Sequence, residues 1–289
     1  MILHGKPVKE YKLKQIKSDL ERLGFIPTLS IIVAKGFNQA SSVYVNNKIK
    51  LCKELGINHE LINLEWEGKT REEVLDDLKY IINTLNNCKE CNGYFIQMPL
   101  PHNIQEHEFS HLIDYKKDVD GFSPINLGRL YKGLDSVIPC TAQAIIDLID
   151  YYDIDLEGKD VLLINRSQLI GVPSIPLLLN KNATVQVAHS KTKNIDDKIL
   201  KSDVIISATG IPKFLNESNI RVNHTLIDVS INRDENGRLC GDVDKSLYEE
   251  LNELPRLCYS PVGGGVGLLT VTNVIANLIK CCELQMEVN

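Results

Sequence analysis

The chain is predicted to be an α/β protein built from two doubly wound units. Three observations predict it. Short β-branched runs alternate with amphipathic helical segments through the first third of the chain, which favours a parallel sheet. A second series of the same kind begins after about residue 137 and has a Rossmann-like rhythm. A turn-rich stretch without clear periodicity, KKDVDGFSPINLGRLYKG, separates the two.

In the first series, VKEYKLKQIKSDLERLG spaces Val8, Tyr11, Leu13, Ile16, Leu20 and Leu23 as a helix face, and Gly24 stands where a helix-terminating glycine belongs. PTLSIIVAK is a buried strand by its β-branched content. SSVYVNNKIKLCKEL predicts a helix stopped by Gly56, and HELINLE the next strand. In KTREEVLDDLKYIINTLNN, Thr70 is the expected N-cap and Glu73 completes a capping box. Val74, Leu78, Ile81, Ile82 and Leu85 share one face. GYFIQMPLP reads as a strand entering a proline-rich turn. The second series supplies the strands DVLLIN, ATVQVAH, DVIISATG and TLIDVSI. The final segment, LLTVTNVIANLIKCCELQ, is an amphipathic helix expected to return to the first unit.

Composition narrows the function. With 289 residues, 43% hydrophobic and 24% charged, the chain has enough apolar material for two cores. A net charge of −6 argues against nucleic acid or an anionic membrane as partner. No signal-peptide pattern is visible, no apolar run reads as a membrane span, and a cytoplasmic location is expected. Of eight cysteines, Cys88 and Cys91 form a C-x-x-C and Cys281 and Cys282 are adjacent. No second close pair supports a zinc site, so no metal is expected and the cysteines read as reduced thiols.

Three polar groupings could carry chemistry. Tyr44 and Lys48 lie four apart on one helix face, where a lysine desolvated in a cleft can move protons. The plain alternative is a surface lysine beside a half-buried tyrosine. Gln97 closes a strand at the end where open α/β sheets bind ligands, and its plain alternative is a polar strand-end residue. Asp118 and Asp120 precede Gly121, a pattern that taken alone signals only a turn or Asx motif. In the second series VLLINRSQLIGVP runs from strand to turn to helix without the G-x-G-x-x-G of a dinucleotide loop.

The ordered set ASSVYVNNKIKLCKELGI, GYFIQMPLP, KKDVDGFSPINLGRL, PCT, NRSQLIGVP, ATVQVAHSKT, LIDVSINRDENGRLCGDVD and PVGGGVG resembles the FolD family over nearly the whole chain. These are bifunctional methylenetetrahydrofolate dehydrogenases/methenyltetrahydrofolate cyclohydrolases. The resemblance implies a catalytic folate-binding domain (residues 1–137 and 268–289) and a Rossmann-like NADP-binding domain (138–267). It implies NADP-dependent oxidation of 5,10-methylenetetrahydrofolate to the methenyl cation and hydrolysis of that cation to 10-formyltetrahydrofolate. It further implies a homodimer with a small-molecule folate substrate. Lys48 matches the family's essential lysine, Tyr44 the tyrosine beside the folate, Gln97 the glutamine contacting that lysine and Asp120 the carboxylate holding the pterin. Ser41, Gly264 and Gly265 are implied as further substrate contacts. Asn165, Arg166, Ser167, Ser190, Lys191 and Ile231 are implied around the cofactor, with Arg166, Ser190 and Lys191 suited to a 2′-phosphate.

Several positions depart from the family pattern. Asn165 and Ser230 stand where glycine is usual, Gly263 and Leu268 where proline is usual, Ala142 and Ala144 where proline and glycine are usual, and Val172 where a basic residue is usual. Added side-chain bulk beside the cofactor predicts weakened NADP binding, and predicts that Asn165→Gly improves it. Three other readings stay open: a cyclohydrolase with little dehydrogenase activity, a noncatalytic folate- or nucleotide-binding module, and an amino-acid or shikimate-type dehydrogenase.

Overall fold

A computed structural model of the chain describes residues 1–35, 39–244, 246–247 and 257–287, and the side chains of residues 39–43 lie outside that description. Two compact units result. The first comprises Lys12–Cys140 and Val271–Asn289, the second Met1–Tyr11 and Thr141–Thr270. The sequence reading draws its lines at residues 137 and 267; the compact units divide at 140 and 270, with the first eleven residues in the second unit.

The first unit is built on a three-stranded parallel sheet of β1 (Thr28–Ala34), β2 (Asn58–Leu64) and β3 (Gly93–Ile96), with β1 central. Successive side chains on a strand face opposite ways, and each face of this sheet carries its own core. Leu29, Ile31 and Phe95 pack with Ile16 from α1 (Gly5–Leu23), Val45, Leu51 and Cys52 from α2 (Gln39–Leu55), and Val274, Ile275 and Leu278 from the C-terminal helix. Ile32, Tyr94 and Ile96 pack on the other face with Val74, Leu78, Ile82 and Leu85 from α3 (Arg71–Asn87). The expected capping box at α3 is present: Thr70 Oγ1 accepts from Glu73 N at 3.3 Å, and Glu73 Oε2 accepts from Thr70 N at 2.7 Å. Gly24 and Gly56 end α1 and α2 with φ of +73° and +70°, which side chains disfavour.

The stretch with no sequence period contains a short helix, α4 (Pro124–Tyr131). Ser123 caps it, accepting from Ile125 N at 3.3 Å, and Pro124 occupies its first turn. Eight residues span only about two turns, too few for apolar periodicity to show.

The second unit holds a five-stranded, all-parallel sheet in the order β10-β7-β6-β4-β5, formed by β4 (Asp160–Ile164), β5 (Thr184–Ala188), β6 (Val204–Ser207), β7 (Thr225–Asp228) and β10 (Cys258–Tyr259). A small antiparallel pair, β8 (Asn232–Arg233) with β9 (Leu239–Cys240), accompanies it. Val161, Leu163, Val204 and Ile206 face α5 (Cys140–Tyr151) and α6 (Gly171–Leu179), while Leu162, Ile164, Ile205 and Leu226 face α7 (Ile195–Lys201). Ala142 and Ala144 are fully buried in α5. At 144 alanine is a better helix former than the glycine it replaces, whereas 142 lies in the first turn, where proline is tolerated as well.

The last helix, α8 (Gly267–Met286), corrects one expectation. It is long and apolar enough to cross a membrane, which the sequence reading excluded for every run. Most of its apolar window is buried inside the protein, and Val274, Ile275, Leu278, Ile279, Cys281 and Leu284 join the core of the first unit. It is a core helix. All eight cysteines are thiols, and no cluster of metal ligands occurs among the described residues.

Candidate active site and dinucleotide crevice

Lys48 projects from α2 towards the carboxyl end of β3, and two groups of that strand receive it. Its Nζ lies 3.4 Å from Gln97 Oε1 and 3.6 Å from the centroid of the Phe95 ring. Phe95 and Gln97 are two apart, so the strand's alternation turns both towards α2. Gln97 Nε2 donates to Met98 O at 2.8 Å, which orients the carboxamide with its oxygen towards the lysine. The buried ring beneath the ammonium adds a cation–π attraction. Tyr44 sits one helical turn before Lys48 and is 45% exposed, leaving its phenol open to an incoming ligand. Ser41 falls among the residues whose side chains are not described.

Asp120 is half-buried in the first unit. Burial holds its carboxyl above the ordinary range, and the charge of Lys48 offsets part of that rise. Asp118, two residues earlier, is fully inside and structural. Its Oδ1 accepts from Gly121 N at 3.0 Å, and its Oδ2 accepts from Ser123 N at 2.7 Å and from Asn126 Nδ2 at 3.0 Å. Burial nevertheless raises it to about 6, against those hydrogen bonds. The Asx turn expected of this stretch therefore belongs to Asp118, which leaves Asp120 available. Gly121 is needed there: its φ is +74°, and a Cβ would come within 2.8 Å of Pro139 N.

Cys140 also adjoins this group, pushed strongly up by burial and next by the Asp120 carboxylate. Asn277 Nδ2 of α8 donates to Val119 O and Ile138 O, both at 2.8 Å, and meets Cys140 Sγ at 3.4 Å. Phe95 and Cys140 are neighbours of the site that no sequence motif marks. A signal for Phe95 existed in its two-residue spacing from Gln97.

In the second unit the register aligns Ile164 with Ala188 on one side and with Ser207 on the other. Chain order reverses at β4, between β5 and β6, and ligands of open α/β sheets bind at such a switch point. Arg166 follows β4 by two residues and Ser190 and Lys191 follow β5, so these exposed groups sit at adjacent strand ends. Ile231 is 48% exposed beyond β7.

Asn165 does not stand in the open. Its Nδ2 donates to Ala208 O at 2.7 Å, while its Oδ1 accepts from Ser167 N at 2.8 Å and Gly171 N at 3.1 Å. Ser167 Oγ accepts from Ile170 N at 3.2 Å. A Cβ on Gly171 would collide with the Asn165 carbonyl, so the one glycine kept in this loop is required by close approach. Ser230 is buried and its Oγ accepts from Gly210 N at 3.1 Å. Gly264 O accepts from Gly5 N at 2.6 Å, and a Cβ on Gly265 would come within 2.8 Å of Pro261 O. Gly263, with φ +73°, uses glycine's freedom at a position where the family's usual proline could not sit.

Comparison with known proteins decides the family. The catalytic domain model of tetrahydrofolate dehydrogenase/cyclohydrolase matches residues 3–120, and the NAD(P)-binding domain model of the same family matches residues 139–286. The chain belongs to this family. It is 41% identical over 287 residues to the bifunctional protein FolD of Staphylococcus epidermidis, covering 98% of this chain and 97% of that one. Its structure resembles the bifunctional FolD enzyme of Campylobacter jejuni with a TM-score of 0.89, 36% identity and 99% coverage of both chains. It also resembles the Trypanosoma brucei FolD protein, solved with NADP cofactor and inhibitor, with a TM-score of 0.86, 28% identity and coverage of 99% of this chain and 98% of that one. The two-unit α/β architecture and the membership inferred from the sequence motifs both hold.

Proposed function

We propose that the chain is a bifunctional one-carbon folate enzyme that oxidises 5,10-methylenetetrahydrofolate with NADP and hydrolyses the methenyl product to 10-formyltetrahydrofolate. The observation that carries this is the lysine–glutamine pair at the end of β3, with Nζ 3.4 Å from Oε1, in a chain of this family. Bound NADP would supply the hydride acceptor for this oxidation. Arg166, Ser190 and Lys191 suit its 2′-phosphate, because they offer charge-assisted donors at neighbouring strand ends. The second unit, close to residues 138–267, is the cofactor domain, and the first is the folate domain.

Hydrolysis adds water across the amidinium carbon of the methenyl cation. The water oxygen bonds to that carbon and gives up both its protons as it becomes the formyl oxygen; a ring C–N bond breaks with its electron pair going to nitrogen, which takes up one of those protons, and the other is released. Lys48 Nζ moves a proton shed by the water, and Gln97 holds it by accepting a hydrogen bond. Phe95 supplies an apolar floor that keeps bulk water from that nitrogen. Tyr44 packs against the folate ring, and Asp120 accepts hydrogen bonds from the pterin's amino and ring N–H groups. The family resemblance adds Ser41, Gly264 and Gly265 as folate residues and Asn165, Ser167 and Ile231 as cofactor residues. A cytoplasmic homodimer acting on a small molecule completes the reading, supported by the family resemblance, and the net charge of −6 disfavours nucleic acid or an anionic membrane as partner.

Lys48→Met tests it. Methenyl hydrolysis, followed by loss of the methenyl absorbance, is expected to fall by about 10²–10⁴-fold, the size of a general acid–base contribution. Circular dichroism is expected to stay native. Hydrolysis at the parent rate in a folded variant would falsify the lysine's role.

A further inference from the structure

The two positions where this chain replaces a usual glycine share a neighbour. Asn165 follows β4 and Ser230 lies two residues beyond β7, while β4 and β7 flank β6 on opposite sides. Both side chains bond to the loop that leaves β6. Asn165 Nδ2 donates to Ala208 O at 2.7 Å, and Ser230 Oγ accepts from Gly210 N at 3.1 Å. Asp242, fully buried, takes three further donors from the end of β6 and its loop: Thr209 N at 2.7 Å, Ile211 N at 3.1 Å and Ser207 Oγ at 2.6 Å.

From this geometry we infer that Asn165 and Ser230 are a pair of positioning residues that clamp the Ala208–Gly210 loop and the turn into α6, preorganising the crevice for the dinucleotide. The inference rests on the cofactor assignment above. Asn165 spans the gap between β4 and β6, the switch point of the sheet, and closes three bonds with one carboxamide. Its φ is not positive, so no backbone constraint demands glycine at this position. A glycine there leaves Ser167 N, Gly171 N and Ala208 O to water, and the cofactor then has to order two loops on binding. That ordering cost is subtracted from affinity. Ser230 acts the same way from the other side, on a residue whose φ of +73° has few conformational restraints of its own.

The expectation drawn from bulk alone is thereby reversed. Added atoms at 165 and 230 predict obstruction when read from the sequence, but both side chains are turned into the protein's own backbone.

Calorimetric titration of the full-length protein with NADP tests the clamp, together with amide hydrogen exchange of the unliganded protein. Asn165→Gly is expected to weaken NADP by about tenfold and Ser230→Ala by about threefold, from net hydrogen-bond contributions. The double variant is expected to lose less than the product, because both side chains hold one loop. In the unliganded variants, exchange should quicken at Ser167 and Gly171 for Asn165→Gly and at Gly210 for Ser230→Ala. Tighter or unchanged NADP binding with unchanged exchange at these amides overturns the clamp. A parent protein that binds no NADP overturns the cofactor assignment instead, and the exchange pattern still decides whether the clamp exists.

Discussion

Lys48 shows how much a single position owes to its neighbours. Its side chain is held by the oxygen of Gln97 and the face of Phe95, two groups brought to it by one strand. Removing the oxygen should matter more than trimming the ring. Gln97→Leu is expected to lower the rate of methenyl hydrolysis by about 10–100-fold, as for a lost hydrogen bond to a charged group. Phe95→Leu is expected to cost only about two- to fivefold, the size of a partly exposed cation–π contact. Equal losses, read from kcat at saturating folate, would refute that ranking. Asp118 carries a pH signature of its own. Its carboxyl is raised from 3.8 to about 6, so the folded chain keeps a proton that the unfolded chain gives up between those values. The stability it contributes is therefore complete below the lower value and is lost as the pH climbs through the upper one. The urea stabilities of the parent and Asp118→Ala should converge by about 1–3 kcal/mol on going from about pH 4 to about pH 6.5. A gap that stays constant or widens with pH would contradict the assignment.

Helices and strands were legible wherever local chemistry declares them. Thr70 and Glu73 announce the start of α3 by their spacing, and both bonds of the box are present. Thr70→Ala should cost about 1 kcal/mol, read as a shifted denaturation midpoint, with no change in activity because α3 lies on the sheet face away from Lys48. Helix α4 was not legible, since its Ser123 cap and Pro124 start sit in a stretch too short to show a face. The side-chain orientations in the turn between β4 and α6 were not legible for another reason. Glycine-rich loops expose backbone N–H groups, whereas here Asn165 and Ser167 side chains accept from three of them. Residue type alone cannot say whether an asparagine points outward or caps its own loop.

On the scale of the whole molecule, α8 ties distant segments of the first unit together. Asn277 reaches the carbonyls of Val119 and Ile138, and Gln285 Nε2 donates to Asn92 O at 2.7 Å and Lys116 O at 3.0 Å. Asn277→Ala should destabilise the fold by about 1–3 kcal/mol by leaving buried carbonyls unpaired, measured by thermal unfolding. A change below about 0.5 kcal/mol, typical of surface substitutions, would show the bonds to be replaceable. Patterns within a segment were enough for the two α/β series, the ends of α1, α2 and α3, and the shared face of Tyr44 and Lys48, because helix and strand periods are local. The ring under the lysine, the buried role of Asp118 and the inward turn of Asn165 were settled only when strands far apart in the chain came into register. A period reveals which side chains share a face; which faces meet depends on packing that no single stretch encodes.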